Sequence, residues 1–314
     1  MSDTTSTAAD ILVIGAGELG MAVLRELVRQ RDADKAPALC VVLRPSSVPT
    51  EALAALHIKI ERLDIATATE EELADLFSRY RQIICCTGFV GGAGTQLKIT
   101  AAAIKAGVEH YIPWQFGVDY DIVGRGSGQQ VWDEQLDVRD MLRAQTRISW
   151  TIISTGIFTS FVFIPAFGLV DLESRTVRAL GDWDNTLTAT TPEDIGHLTA
   201  RVAYAHAAFH NQIIHVAGDT FSYRDLADMT ERVLGQPVTR MMLNDAQLRD
   251  DVAAHPEDTM ARYRLAFARA DGVAWPRHLT LNARLNISMT DAETWLRNWL
   301  RNWPRHGLTS QPAN

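Results

Sequence analysis

Four consecutive large apolar residues, Ile11-Leu12-Val13-Ile14, run into a glycine turn and then into a stretch whose apolar positions recur at helical spacing to Val28. A short unbroken apolar run predicts a strand buried on both faces, as in a parallel sheet, and the stretch after it an amphipathic helix. The alternation continues. Strands are predicted at 38–44, 58–64, 82–88, 109–113 and 150–155. Between them, Thr69-x-x-Glu72 forms a capping box that opens a helix through Tyr80. A second helix covers 95–106 with Gly107 as its C-cap, and a third covers 129–145 after the glycine-rich, mobile stretch 124–128. This order predicts an α/β fold with a doubly wound parallel sheet over 11–155. Residues 156–314 are expected to form a smaller α+β domain, some of whose segments return to the large sheet. In that part, Thr191-Pro192 starts a helix by cap and N1 proline, 213–216 is a strand, and Ser222 caps another helix. Thr290-x-x-Glu293 opens a final helix with Trp295, Trp299 and Trp303 on one face, stopped by Pro304.

The turn after the first strand is Gly15-x-Gly17-x-x-Gly20. In this strand–turn–helix setting the first glycine permits the turn, the second admits a pyrophosphate and the third allows close packing of helix on strand. The amides of the helix's first turn, at Glu18 and Leu19, then face the phosphates with the helix dipole behind them. The domain is therefore expected to be a Rossmann-type dinucleotide-binding unit. The second strand ends in Arg44, with Ser46 and Ser47 just beyond, where an NAD site usually carries an acid for the ribose 2′-hydroxyl. A cation and hydroxyls suit a 2′-phosphate, which favours NADP(H). Thr87, Gly88 and Phe89 follow the fourth strand, and Gln115 and Phe116 the fifth. Ligands sit at the carboxyl ends of strands, so both segments are expected to border the cofactor.

Composition narrows the possibilities. The 314 residues carry a net charge of −8, which leaves no basic footprint for nucleic acid. No apolar run approaches the roughly 18 residues of a membrane span. The polar amino-terminal ten residues lack Lys and Arg, unlike a secretory leader, and Cys40, Cys85 and Cys86 read as core residues. Together these features suggest a cytoplasmic enzyme. Lysine occurs only at positions 35, 59, 98 and 105, so chemistry needing a lysine from the middle of the chain is excluded.

The glycine turn, the run from Gln96 to Gly107, Tyr111-Ile112-Pro113-Trp114-Gln115-Phe116-Gly117 and Thr191-Pro192-Glu193-Asp194-Ile195-Gly196 resemble the NmrA-like and isoflavone-reductase-like atypical short-chain dehydrogenases. The third segment is similar to that family's Phe-Phe-Pro-Ser-Glu-Phe-Gly. With Val118-Asp119-Tyr120-Asp121 after it, the chain looks most like members described as aromatic alcohol reductases. The resemblance covers most of 11–240 and implies NADPH and a small aromatic or phenylpropanoid-type substrate. It departs in two places. The family's glycine turn is usually one residue longer, and the family's acid–base lysine falls on Gln135, an amide that does not titrate near neutrality. The Tyr-x-x-x-Lys pair of ordinary short-chain dehydrogenases is absent too, which also counts against an epimerase-like enzyme.

Two functions remain. One is an NADPH-dependent reductase of an aromatic carbonyl or benzylic substrate, with Tyr120 as proton donor, Asp119 orienting it and Gln135 hydrogen-bonding the substrate. Trp114, Phe158, Phe161 and Phe163 are its candidate substrate walls. The other is a non-catalytic NADP(H) sensor of the NmrA type acting through a protein partner. Either could be a homodimer, and no metal is called for.

Overall fold

The structure is a computed structural model that describes residues 9–31 and 38–306. The polar residues at the start of the chain, Lys35 and the side chain of Trp303 lie outside the described residues.

The predicted strands form as a parallel sheet: β1 (Ala9–Ile14), β2 (Leu39–Leu43), β3 (Lys59–Arg62), β4 (Tyr80–Cys85), β5 (His110–Ile112) and β6 (Ser149–Ser154). Gln212–His215 adds β7 beside β6, giving the order β7-β6-β5-β4-β1-β2-β3. The chain moves outward from β1 through β2 to β3, then restarts on the other side of β1 with β4. That reversal opens a crevice at the carboxyl ends of β1 and β4, where this class of sheet holds its ligands. Side chains alternate across the sheet, so Leu12 and Ile14 join one core and Ile11 and Val13 the other.

Local signals set the helices. Thr69 and Glu72 cap each other reciprocally, Gly107 takes a left-handed φ of 69°, Thr191 accepts from the Asp194 amide, and Ser222 makes a capping box with Asp225. β4 covers 80–85 where 82–88 was expected, the third helix ends at Arg143, and at three further helix boundaries the cause of the difference is local. The helix after Thr69 ends at Phe77, because Tyr80 already begins β4. The last helix is capped by Asp291, whose carboxylate accepts from the Thr294 amide at 2.6 Å. Thr290 instead gives its amide to Asp194 at 2.8 Å. That helix also runs past Pro304 to His306, since a proline near a helix end removes only one hydrogen bond.

Beyond 156 the chain does two things. The helix Pro192–Tyr204 returns to the sheet and lies on the first helix, α1 (Glu18–Gln30), so closely that a Cβ at Gly196 would stand 2.6 Å from the Ala22 carbonyl. The rest builds a second lobe from two three-stranded sheets. One contains Ile157–Phe158, Thr186–Thr190 and Asp219–Ser222; the other Val170–Asp171, Thr176–Leu180 and Thr239–Leu243. Its core takes in Phe163, Phe167 and Phe267 together with Tyr120 and Trp132 from the first half of the chain.

Candidate active site

The glycine turn divides its labour as the spacing suggests. Gly15 has φ +94°, a conformation that a side chain would strain. A Cβ on Gly20 would lie 2.2 Å from the Gly15 carbonyl oxygen, so that position must stay bare for helix and turn to meet. Gly17 differs from both. Its φ of −72° and ψ of −164° are open to any residue, and it is the N-cap of α1 without a side-chain cap. Nothing in the backbone conformation requires glycine there. Uncapped first-turn amides beside a bare Cα are what a phosphate's approach needs. Leu19 is buried beneath the turn, while Glu18 is exposed and meets the Ser160 hydroxyl at 3.5 Å.

At the end of β2, Arg44 and Ser46 are exposed and Ser47 half-buried. The Arg44 side chain makes no hydrogen bond or ion pair among the described residues. A second cation, missed in the sequence, stands beside it. Arg62 ends β3 in register with Leu43 and donates Nη1 to the carbonyls of Arg44 and Ser47. Strand register could have flagged it, because adjacent parallel strands end together.

After β4, Thr87 packs its methyl against the Gly15 turn, and Gly88 has φ +62°. Gln96 donates to the Gly88 carbonyl. The Phe89 and Trp114 rings meet edge to face at 4.4 Å, walling this side of the crevice. The following helix, Thr95–Ala106, begins at Gly94, which has no side chain to cap it. The buried Glu134 does so from the helix Gln130–Arg143, accepting from the amides of Gly94 at 2.8 Å and Gln96 at 2.9 Å. No local pattern could reveal a cap forty residues away.

Behind these loops lies a buried polar network. Arg139, fully buried, donates Nε to Gln115 Oε1 at 2.9 Å, Nη1 to Asp119 at 3.2 Å and Asp121 at 2.7 Å, and Nη2 to the Ser154 hydroxyl at 3.3 Å. An arginine only donates, so it fixes which end of the Gln115 amide faces it. Gln115 Nε2 must then point away, and it donates to the carbonyl oxygen and Oε1 of Gln135 at 2.9 and 2.8 Å. This in turn leaves the Gln135 Nε2 as a buried donor without a partner among the described residues. The two positions that carry glutamate and lysine in the resembling family are therefore joined here as a neutral amide pair.

Asp119 is engaged elsewhere than expected. Its carboxylate accepts from Arg139, from the Asp121 amide at 3.2 Å and from His215 Nε2 at 2.9 Å, and makes no bond to the Tyr120 hydroxyl. Burial pushes its pKa up, but the His215 hydrogen bond and the Arg139 charge outweigh that and hold it below the ordinary value. His215, at the end of β7, was not singled out in the sequence. Tyr120 is buried, with Arg139 5.2 Å from the centre of its ring and its hydroxyl above Gly117, where a Cβ would stand 2.4 Å away. Burial holds its phenol well above the usual pKa.

The structure disperses the four aromatic candidates. Trp114 borders the crevice, and Phe158 packs on the sheet core beside α1. Phe161 meets Tyr263 at 5.5 Å. Phe163 stacks on Trp295 in the second lobe and lines a separate cavity of about 460 Å³ with Arg178 and Arg264. Phe116 is buried in the sheet core. The described lysines serve structure: Lys59 and Lys105 pair with glutamates, and Lys98 donates to the carbonyls of Ile65, Ala66 and Ala68. Among the described residues no group of His, Cys, Asp or Glu could hold a metal, and no helix is long and apolar enough to cross a membrane.

Known proteins share this framework. An NmrA-like family domain-containing oxidoreductase of Gibberella moniliformis is 41% identical over 297 residues, covering 92% of this chain and 97% of its own. A phenylcoumaran benzylic ether reductase of Ginkgo biloba is 23% identical, covering 78% of this chain and 82% of its own. In three dimensions, the leucoanthocyanidin reductase–NADPH complex from Vitis vinifera superposes with a TM-score of 0.76 at 16% identity, covering 93% of this chain and 99% of its own. An Escherichia coli NADPH-dependent quinone oxidoreductase, complexed with NADPH, gives 0.73 at 21% identity, covering 93% and 100%. The profile of the NmrA-like family matches residues 7–273, and the chain belongs to that family.

Proposed function

We propose that this chain is an NADPH-dependent reductase of a small aromatic carbonyl or benzylic substrate. The observation that carries the cofactor half is Gly17, a bare position at the uncapped start of α1 that the backbone conformation does not itself require. The turn fits a pyrophosphate there, Thr87-Gly88-Phe89 and Gln115 border the reactive end, and Arg44 with Ser46 and Ser47 meets the 2′-phosphate. NADPH, when bound, supplies the hydride. The chain's own residues place the acceptor and manage its oxygen. Tyr120 gives the proton, and the sealed Gln135 amide nitrogen reaches the substrate once the Gln115–Gln135 pair shifts. Relatives with reductase names, acting on benzylic ethers or quinones, support the substrate class.

Arg44→Ala tests the cofactor preference. A 2′-phosphate brings nearly two negative charges to a guanidinium whose planar donors match it, so NADPH affinity should fall about tenfold. NADH, which lacks that phosphate, should bind as before. Titration calorimetry of both cofactors decides the matter, and equal losses would show that Arg44 does not read the phosphate. The reaction itself is tested by following NADPH absorbance with aromatic aldehydes, ketones, quinones and benzylic ethers. Tight NADPH binding without oxidation by any of them would favour a second reading, an NADP(H)-sensing regulator acting on a protein partner. The neutral Gln115–Gln135 pair is the observation on that side.

A further inference from the structure

Tyr263 lies far outside the recognisable cofactor motifs, on the helix Thr259–Phe267 of the second lobe. Its ring meets Phe161 at 5.5 Å and Trp132 at 6.2 Å, and Trp132 in turn meets Tyr120 at 6.1 Å, all edge to face. Two phenols thus flank one indole, Tyr120 from the short helix Tyr120–Val123 after β5 and Tyr263 from the opposite lobe. Neither hydroxyl has a hydrogen-bond partner among the described residues, and neither is among the sealed polar atoms that lack one. Each is therefore unpaired without being fully sealed. A hydroxyl left unpaired in apolar surroundings costs stability unless something binds it. The two groups also sense each other: after burial, Tyr263 is the next influence opposing ionisation of Tyr120. Burial likewise pushes the Tyr263 phenol up to about 12, so both remain O–H donors throughout the neutral range.

We propose that Tyr263 is a substrate-positioning residue, whose hydroxyl joins that of Tyr120 on the carbonyl oxygen of a planar aromatic ligand seated against Trp132 and Phe161. A carbonyl oxygen has two lone pairs and accepts two donors, and edge-to-face rings supply the apolar walls that a flat conjugated molecule needs. With two donors on one oxygen, Tyr120 can give up its proton while Tyr263 still stabilises the negative charge that develops. This assignment rests on the reductase reading for its substrate class, but binding tests it without turnover.

The experiment measures affinity for cinnamaldehyde and for trans-β-methylstyrene, which has the same conjugated skeleton without the oxygen. Both are titrated into protein alone and into protein saturated with NADP⁺. Tyr263→Phe should weaken cinnamaldehyde binding about tenfold, the upper end of a single net hydrogen bond. Binding of the hydrocarbon and NADPH affinity should be unchanged, and the melting temperature should not fall, because no bond of the free protein is removed. Adding Tyr120→Phe should lower cinnamaldehyde affinity further. Unaltered cinnamaldehyde affinity in Tyr263→Phe, an equal loss for both compounds, or wild-type protein that binds no cinnamaldehyde would each overturn the proposal. A selective loss in a protein that oxidises no NADPH would leave it standing and reject the reductase reading alone.

Discussion

Tyr120→Phe is expected to lower kcat for NADPH oxidation about 10²–10⁴-fold, the usual cost of removing a positioned general acid. The substitution is conservative in every other respect. The ring keeps its edge contact with Trp132 and its place beside Arg139, and no hydrogen bond of the free protein is lost. NADPH affinity should therefore hold, and the loss should fall on kcat. Because burial keeps the phenol protonated far above neutrality, the wild-type rate should show no break near pH 7 from its donor. A lysine at position 135 would add a titrating group at this site; the glutamine cannot. An unchanged kcat in Tyr120→Phe would remove this residue from the mechanism and leave water as the proton source.

Arg139→Ala should destabilise the protein by about 3–5 kcal/mol, the range for breaking a buried ion pair by deleting one partner. Gln115 would lose the donor to its Oε1, Asp119 would keep only His215 and the Asp121 amide, and Asp121 only Arg143. The pH dependence has a definite sign. Both aspartates are held below their ordinary pKa, Asp119 against the pull of burial and Asp121 chiefly through Arg143. A carboxylate depressed on folding lends stability above its unfolded pKa of about 3.9, and loses it as pH falls through the folded value. The gap between wild type and variant should thus be full above about pH 4 and narrow below it, as read by urea melts across that range. A penalty independent of pH would mean that Arg139 acts by filling space.

What the sequence disclosed follows from the range of the forces involved. The glycine turn, Thr69, Gly107 and Ser222 act within a few residues of themselves, and each stands where local pattern put it. Gln135 was legible for another reason, because the resembling family's acid–base lysine falls on it. Its partner was not. Gln115 faces it only because β5 and the helix Gln130–Arg143 pack together, and Arg139 then decides which way both amides turn. Glu134, Arg62, His215 and Tyr263 were silent for the same reason, since each meets its partners only through tertiary packing. Asp119 shows the converse. Its closeness in sequence to Tyr120 suggested a partnership, but its carboxylate is taken by Arg139 and His215. Local signals also miss where they compete, as at Thr290, whose amide the Asp194 carboxylate takes for a neighbouring helix.

The return of Pro192–Tyr204 and Gln212–His215 to the large sheet means that no single cut of the chain yields a complete half. Expression of residues 1–155 alone would leave β6 as a bare edge and strip the cover from α1 at Ala22, inviting strand-to-strand aggregation. Tyr120 and Trp132 would lose the apolar surroundings that bury them. Truncated forms should therefore be insoluble or molten, whereas the two parts co-expressed as separate chains split at 156 should purify together until denatured. Swapping substrate preference between relatives by exchanging everything after one junction would fail for the same reason. A working chimaera has to carry Pro192–Tyr204 and Gln212–His215 with the amino-terminal parent and graft only the segments around them.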